Sequence, residues 1–231
     1  MFFGFFRGDW TLLIVLPALI FTLWAQSLVQ STYRKYSTVR NATGLTGADA
    51  ARLILNENGL YHVRIEPISG ELTDHYDPRE NVIRLSEGVY DGVSVAAVGV
   101  AAHEAGHAVQ YAIGYSAIRL RSSILPVCRI GSIGAMPLFL IGLVLASEPL
   151  MMAGILAYSV VTLFQLLTLP VEFDASRRAV AALQGSGRLS AQEIDGSRCV
   201  LRAAAMTYVA ALASSLLTLL RLLVLASNRR R

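Results

Sequence analysis

Four long apolar runs constrain this chain more than anything else in it: residues 10–25 (WTLLIVLPALIFTLWA), 130–146, 150–169 and 203–226. Each approaches the ~20 residues a helix needs to cross the hydrocarbon of a bilayer, the first two being short unless their flanks are counted. The chain of 231 residues is 54% apolar and 16% charged. A soluble domain carries about a quarter charged residues, so this one lacks the ionic surface to keep its hydrocarbon in water. With Gly 18, Pro 7 and Cys 2, the composition also excludes collagen-like repetition, disorder and a disulfide scaffold. The expected class is a mainly α membrane protein with about four transmembrane helices.

Trp10 and Trp24 bracket the first run as interfacial anchors would. A cleaved signal peptide, with Arg7 in its charged region and a cut near Ala25, is the rival reading; Asp9 and Pro17 count against it. The second and third runs, separated by Ser147, Glu148 and Pro149, predict a tight helical hairpin in which Gly131 and Ala135 allow close approach. Arg221, inside the fourth run, reads as a structural residue reaching for the interface.

Net charge +4 invites a nucleic-acid reading, but the basic residues flank apolar runs or spread through polar segments instead of forming a patch. They act better as an orientation signal. Fifteen of the 20 fall in the two large polar segments: Arg34, Lys35, Arg40, Arg52, Arg64, Arg79, Arg84, Arg119, Arg121, Arg129, Arg177, Arg178, Arg188, Arg198 and Arg202. The positive-inside rule then places both segments in the cytoplasm. The terminal triplet Arg229 to Arg231 disagrees unless the fourth run stops short of crossing. The expected organisation is an N-terminal span (1–30), a polar lobe (31–126), a membrane hairpin (127–170), a cytoplasmic helical segment (171–200) and a C-terminal span with a basic tail (201–231).

Within the lobe, Thr46 and Asp49 have capping-box spacing ahead of an apolar stretch that Gly59 ends, which predicts a short helix. Alternation at Val63 and Ile65, and again at Val82, Ile83 and Leu85, predicts two strands on either side of a turn at Asp77-Pro78. Residues 93–113 return to a helical pattern so poor in charge that nearly every face should be buried.

That helix contains His103-Glu104-Ala105-Gly106-His107. Residues i and i+4 lie one above the other, so both imidazoles can reach one zinc ion at ~2.0–2.1 Å. Glu104 projects beside them, placed to take a proton from a water that zinc has acidified. It would otherwise be a lone buried charge, which is costly. Zinc in a catalytic site takes a third protein ligand and leaves one position open. His62 and His75 are the other histidines; Glu148, Glu172, Asp174, Glu193 and Asp195 are the acids after the motif. Glu148 falls on the wrong side by the charge count, whereas Glu172 opens a helical stretch on the same side as His103. The expected cofactor is one zinc ion.

HEAGHAVQ, with LTDHYDPR and GLTGADAAR upstream and LPVEFDASRRA downstream, resembles the bacterial membrane-bound neutral zinc metallopeptidases of the YugP type over nearly the whole chain. More distantly it is similar to HtpX-like and CAAX-prenyl membrane proteases, whose third ligand is the Glu of Glu-Phe-x-Ala. The resemblance implies a zincin-like α+β lobe, zinc ligands His103, His107 and Glu172, and Glu104 as catalytic base. Position 176 departs from the HtpX-like pattern, being Ser where that pattern has Asp. Asp174 therefore stands either as a residue orienting a ligand imidazole, as surface charge, or as an alternative third ligand. His75 is a candidate for the substrate groove or a plain turn residue. Val82 to Leu85, by analogy with zincins, is placed to pair with extended substrate.

The function expected is a zinc-dependent endopeptidase acting on polypeptides, membrane-proximal or misfolded membrane proteins among them, with the bilayer as its other partner and no nucleic acid. The alternative is a non-catalytic membrane scaffold or assembly factor that retains a zinc site, although such a site is usually closed by a fourth Cys or His. A transporter would need ionisable residues inside its spans, and Arg221 alone fits that description.

Overall fold

The computed structural model of the protein describes residues 9–229. Along the chain run α1 (Leu12–Ser37), α2 (Gly47–Glu57), β1 (Arg64–Ile68), β2 (His75–Asp77), β3 (Val82–Ser86), α3 (Glu87–Tyr90), α4 (Val95–Ala112), α5 (Ser116–Val144), α6 (Glu148–Gly185) and α7 (Ala191–Arg229). Helices α1, α5, α6 and α7 are each long and apolar enough to cross a membrane. The chain is a mainly α membrane protein with a small α+β lobe.

Two compact units emerge, one from the described residues up to Ala25 with Leu120–Leu169 and those from Thr207 onward, the other from Gln26–Arg119 and Pro170–Met206. In the first, α5 and α6 form the hairpin, turning at Ala146 (φ 52°) with the Ser147 amide donating to the Gly142 carbonyl at 2.8 Å. Glycines make this approach possible: a Cβ on Gly142 would lie 2.5 Å from the Met151 nitrogen, and one on Gly154 2.7 Å from the Phe139 nitrogen. Phe139, Met151, Ile155, Leu222 and Ala226 form the buried cluster of this unit.

Arg221 donates to Asp9 at 2.7 Å and to the Thr11 hydroxyl at 3.1 Å. The two charges lie 212 residues apart in sequence. Their pairing neutralises both at the beginning of α1 and near the end of α7, which lowers the cost of an Arg inside an apolar run. Pro17 does not break α1, nor do Pro126 and Pro137 break α5 or Pro170 break α6.

In the second unit, Thr46 caps α2 through a full capping box: its hydroxyl accepts from the Asp49 amide at 3.0 Å, and the Asp49 carboxylate accepts from the Thr46 amide at 3.2 Å. The sheet has three strands in the order β1-β3-β2, β1 parallel and β2 antiparallel to β3. Sequence alternation revealed two of them. With three residues, β2 is too short to alternate visibly; Asp74, just ahead of it, holds it in place by accepting from the Ser86 amide at 2.8 Å and the Ser86 hydroxyl at 3.1 Å.

The third strand also corrects an expectation. Because β3 is central, with Val82, Ile83 and Arg84 paired on both sides, it has no free edge there for an extended substrate. Among the described residues the open edges of this sheet belong to β1 and β2.

The core of this unit packs Ile54 and Leu55 of α2, Ile83 and Leu85 of β3, Val98, Ala101 and Ala105 of α4, Leu183 of α6 and Leu201 of α7. Helix α4 is thus wrapped nearly all round, as its Ala- and Val-rich composition requires.

Candidate metal centre

Helix α4 starts at Ser94, whose hydroxyl accepts from the Ala97 amide at 3.1 Å. From this fixed start it presents His103 and His107 one turn apart, their rings 4.7 Å between centroids and 80° between planes. Glu172 comes from α6, and its Oε2 lies 3.3 Å from His103 Nε2 and 3.6 Å from His107 Nε2. One ligand-type atom from each residue falls within 4.8 Å of the others.

These separations fit a metal ion. Two donors each ~2.1 Å from a tetrahedral zinc ion stand about 3.4 Å apart. Two imidazole nitrogens and a carboxylate oxygen are also a donor set that zinc favours. Glu172 is 2% exposed, while the His103 and His107 side chains keep 15% and 12% of their surface, so the site is recessed yet open on the histidine side. Glu104 follows His103 on α4 and is itself buried.

Burial disfavours the His107 imidazolium, but hydrogen bonding to Glu172 and the field of Glu104 outweigh it, so its pKa lies above that of ordinary histidine. A proton on His107 competes with a metal ion for the same lone pair. Metal binding therefore weakens as pH falls through this raised value.

What brings the Glu172 helix so close is Gly106, in the middle of the motif. A Cβ there would lie 2.7 Å from the Ala175 carbonyl oxygen, a backbone atom that cannot swing aside. Gly106→Ala is expected to push α6 off α4 and cost about 1–3 kcal/mol, divided between folding and metal binding. Chelator competition and thermal unfolding, measured on the same preparation, would each register part of that loss.

Behind the histidines lies a hydrogen-bonded layer. His107 Nδ1 is 3.0 Å from Gln110 Oε1, and Gln110 Nε2 donates to the Val171 carbonyl at 2.8 Å and to Asp174 Oδ2 at 3.0 Å. Asp174 also accepts from Arg178 Nε at 2.6 Å and from Arg177. His103 Nδ1 lies 3.2 Å from Ser176 Oγ.

Of the residues singled out in the sequence, His103, His107 and Glu172 come together, with Glu104 beside them on α4. Asp174 is not in that triad; it is buried and meets Gln110, Arg177 and Arg178, which argues against surface charge. His75 is in β2, with Nδ1 2.8 Å from the Thr73 carbonyl. Gln110 and Ser176 were missed. Their spacing was a usable signal: Gln110 is three residues beyond His107 and Ser176 four beyond Glu172, so each shares a helix face with a proposed ligand.

Comparison with known proteins agrees with this chemistry. A family described as "Putative neutral zinc metallopeptidase" matches residues 11–227, and the chain belongs to that zinc-metallopeptidase family. It is 48% identical over 217 residues to the "Putative membrane protease YugP" of Bacillus subtilis (strain 168), an alignment covering 94% of this chain and 96% of that protein. No solved structure matches the chain.

Proposed function

We propose that this protein is a zinc-dependent membrane endopeptidase that uses Glu104 as its general base. The observation that carries the reading is the convergence of His103 Nε2, His107 Nε2 and Glu172 Oε2 on one point beside Glu104. Zinc bound there supplies Lewis acidity, polarising a peptide carbonyl and making water easier to deprotonate. His103, His107 and Glu172 hold the ion; Glu104 takes the proton from the attacking water and delivers it to the departing amine. The side left open by the two imidazoles admits water and substrate.

The substrate is an extended or unfolded polypeptide near the bilayer. Glu172 follows the apolar run 150–169 by only three residues in sequence, which supports that placement. Purified protein in detergent is expected to cleave an unstructured polypeptide, to lose that activity to a zinc chelator and to regain it with added zinc. Cleavage that survives metal removal would overturn the reading.

Segments 31–126 and 171–200 work together as the catalytic lobe on the cytoplasmic side, a placement supported by the 15 basic residues of the polar segments. A native probe exists, because Cys199 is exposed while Cys128 is buried. In intact cells stripped of their wall, a membrane-impermeant maleimide should leave Cys199 unlabelled until lysis. Labelling before lysis would place the lobe outside.

A further inference from the structure

Building on that metal-site reading, we infer that Gln110 and Asp174 form a tautomer lock on His107, holding the single proton of the neutral ring on Nδ1 so that its lone pair is on Nε2, facing the metal.

A neutral imidazole carries one proton, and it can ligate through Nε2 only when that proton sits on Nδ1. The atom facing His107 Nδ1 is Gln110 Oε1, at 3.0 Å. A glutamine amide can be turned either way, so its orientation must follow from its neighbours. Here two acceptors decide it. The Val171 carbonyl at 2.8 Å and Asp174 Oδ2 at 3.0 Å both require the NH2 end of Gln110. Turning the amide over would set its oxygen against two other oxygens. Gln110 is 0% exposed and Asp174 3%, so bulk water cannot repair that mismatch. With the NH2 so committed, Oε1 faces His107 and accepts only from an Nδ1–H.

Asp174 is in turn fixed as an acceptor by the donors Arg178 and Arg177. The two groups that Gln110 grips also flank Glu172, one residue before it and two after. One side chain of α4 thus sets the tautomer of the second histidine and holds the stretch of α6 that carries the carboxylate.

The first histidine has no such lock. Its Nδ1 partner is the Ser176 hydroxyl, which can donate or accept by rotating. The two imidazoles should therefore respond unequally to changes behind them.

The test uses the full chain in detergent, with Zn2+ affinity from chelator competition and the visible spectrum of the Co2+-loaded protein. Gln110→Met keeps the volume and removes both hydrogen-bonding ends. Asp174→Leu keeps nearly the size and removes the Oδ2 that accepts from both Gln110 and Arg178, taking away one of the two acceptors that orient the Gln110 amide. Both are expected to weaken Zn2+ binding by about 10–100-fold and to alter the cobalt spectrum; Ser176→Ala should change either far less. Wild-type affinity and spectrum in both variants would overturn the lock, as would lowered thermal stability of the metal-free protein with an unchanged spectrum. Should Gln110→Met fail to fold, Asp174→Leu decides alone. A wild-type protein that takes up no zinc defeats the underlying metal-site reading; wild-type uptake with indifferent variants defeats the lock only.

Discussion

Glu104→Gln is expected to retain zinc and to lose peptide hydrolysis by about 10²–10⁴-fold in kcat, the range that a positioned general base contributes. The substitution keeps size and shape and removes only the ability to carry a proton. Zinc should stay because the converging donor atoms belong to His103, His107 and Glu172. Substrate binding should also survive, so KM moves little while kcat collapses. Zinc retained together with unchanged proteolysis would show that Glu104 is not the base.

The second large effect is expected from Glu172→Ala. Glu172 is the one member of the cluster that α4 does not carry, and it supplies the group's only negative charge toward a divalent ion. Its removal leaves two imidazoles, an incomplete set for a catalytic zinc site. Zn2+ affinity should fall by more than the ~100-fold typical of losing a residue that merely orients a ligand. Metal analysis after dialysis against a weak chelator should find the wild type loaded and the variant stripped. Full occupancy in the variant would remove Glu172 from the ligand set.

How much of this was legible in the sequence follows from the range of the interactions involved. The spans were legible because lipid demands a long apolar run. Helix α2 was legible because its start is written in adjacent residues, Thr46 and Asp49. The motif on α4 was legible because both histidines belong to one helix, where spacing is geometry. Glu172 required an argument from charge sidedness, since it lies 65 residues beyond His107.

The features that escaped depend on contacts between distant segments. Strand β2 has only three residues and is held by Asp74 on Ser86, a contact across 12 residues. The central position of β3 follows from that pairing and removes the groove edge over Val82, Ile83 and Arg84 of the stretch expected to offer it. Asp9 and Arg221 meet across 212 residues, so neither could disclose the other's role. Ser176 looked like a defect when compared with an aspartate pattern, yet its hydroxyl reaches His103. Gly106 sits inside the motif at a position where any residue would satisfy the spacing, and its necessity shows only once the Ala175 carbonyl is found against it.

The central claim is one zinc ion held by two imidazoles and one carboxylate, and X-ray absorption at the zinc edge of the purified full chain tests it most directly. Nitrogen and oxygen are expected as the only nearest neighbours, with the outer scattering of two imidazole rings. Sulfur next to the ion, or the scattering of a single ring, would contradict it.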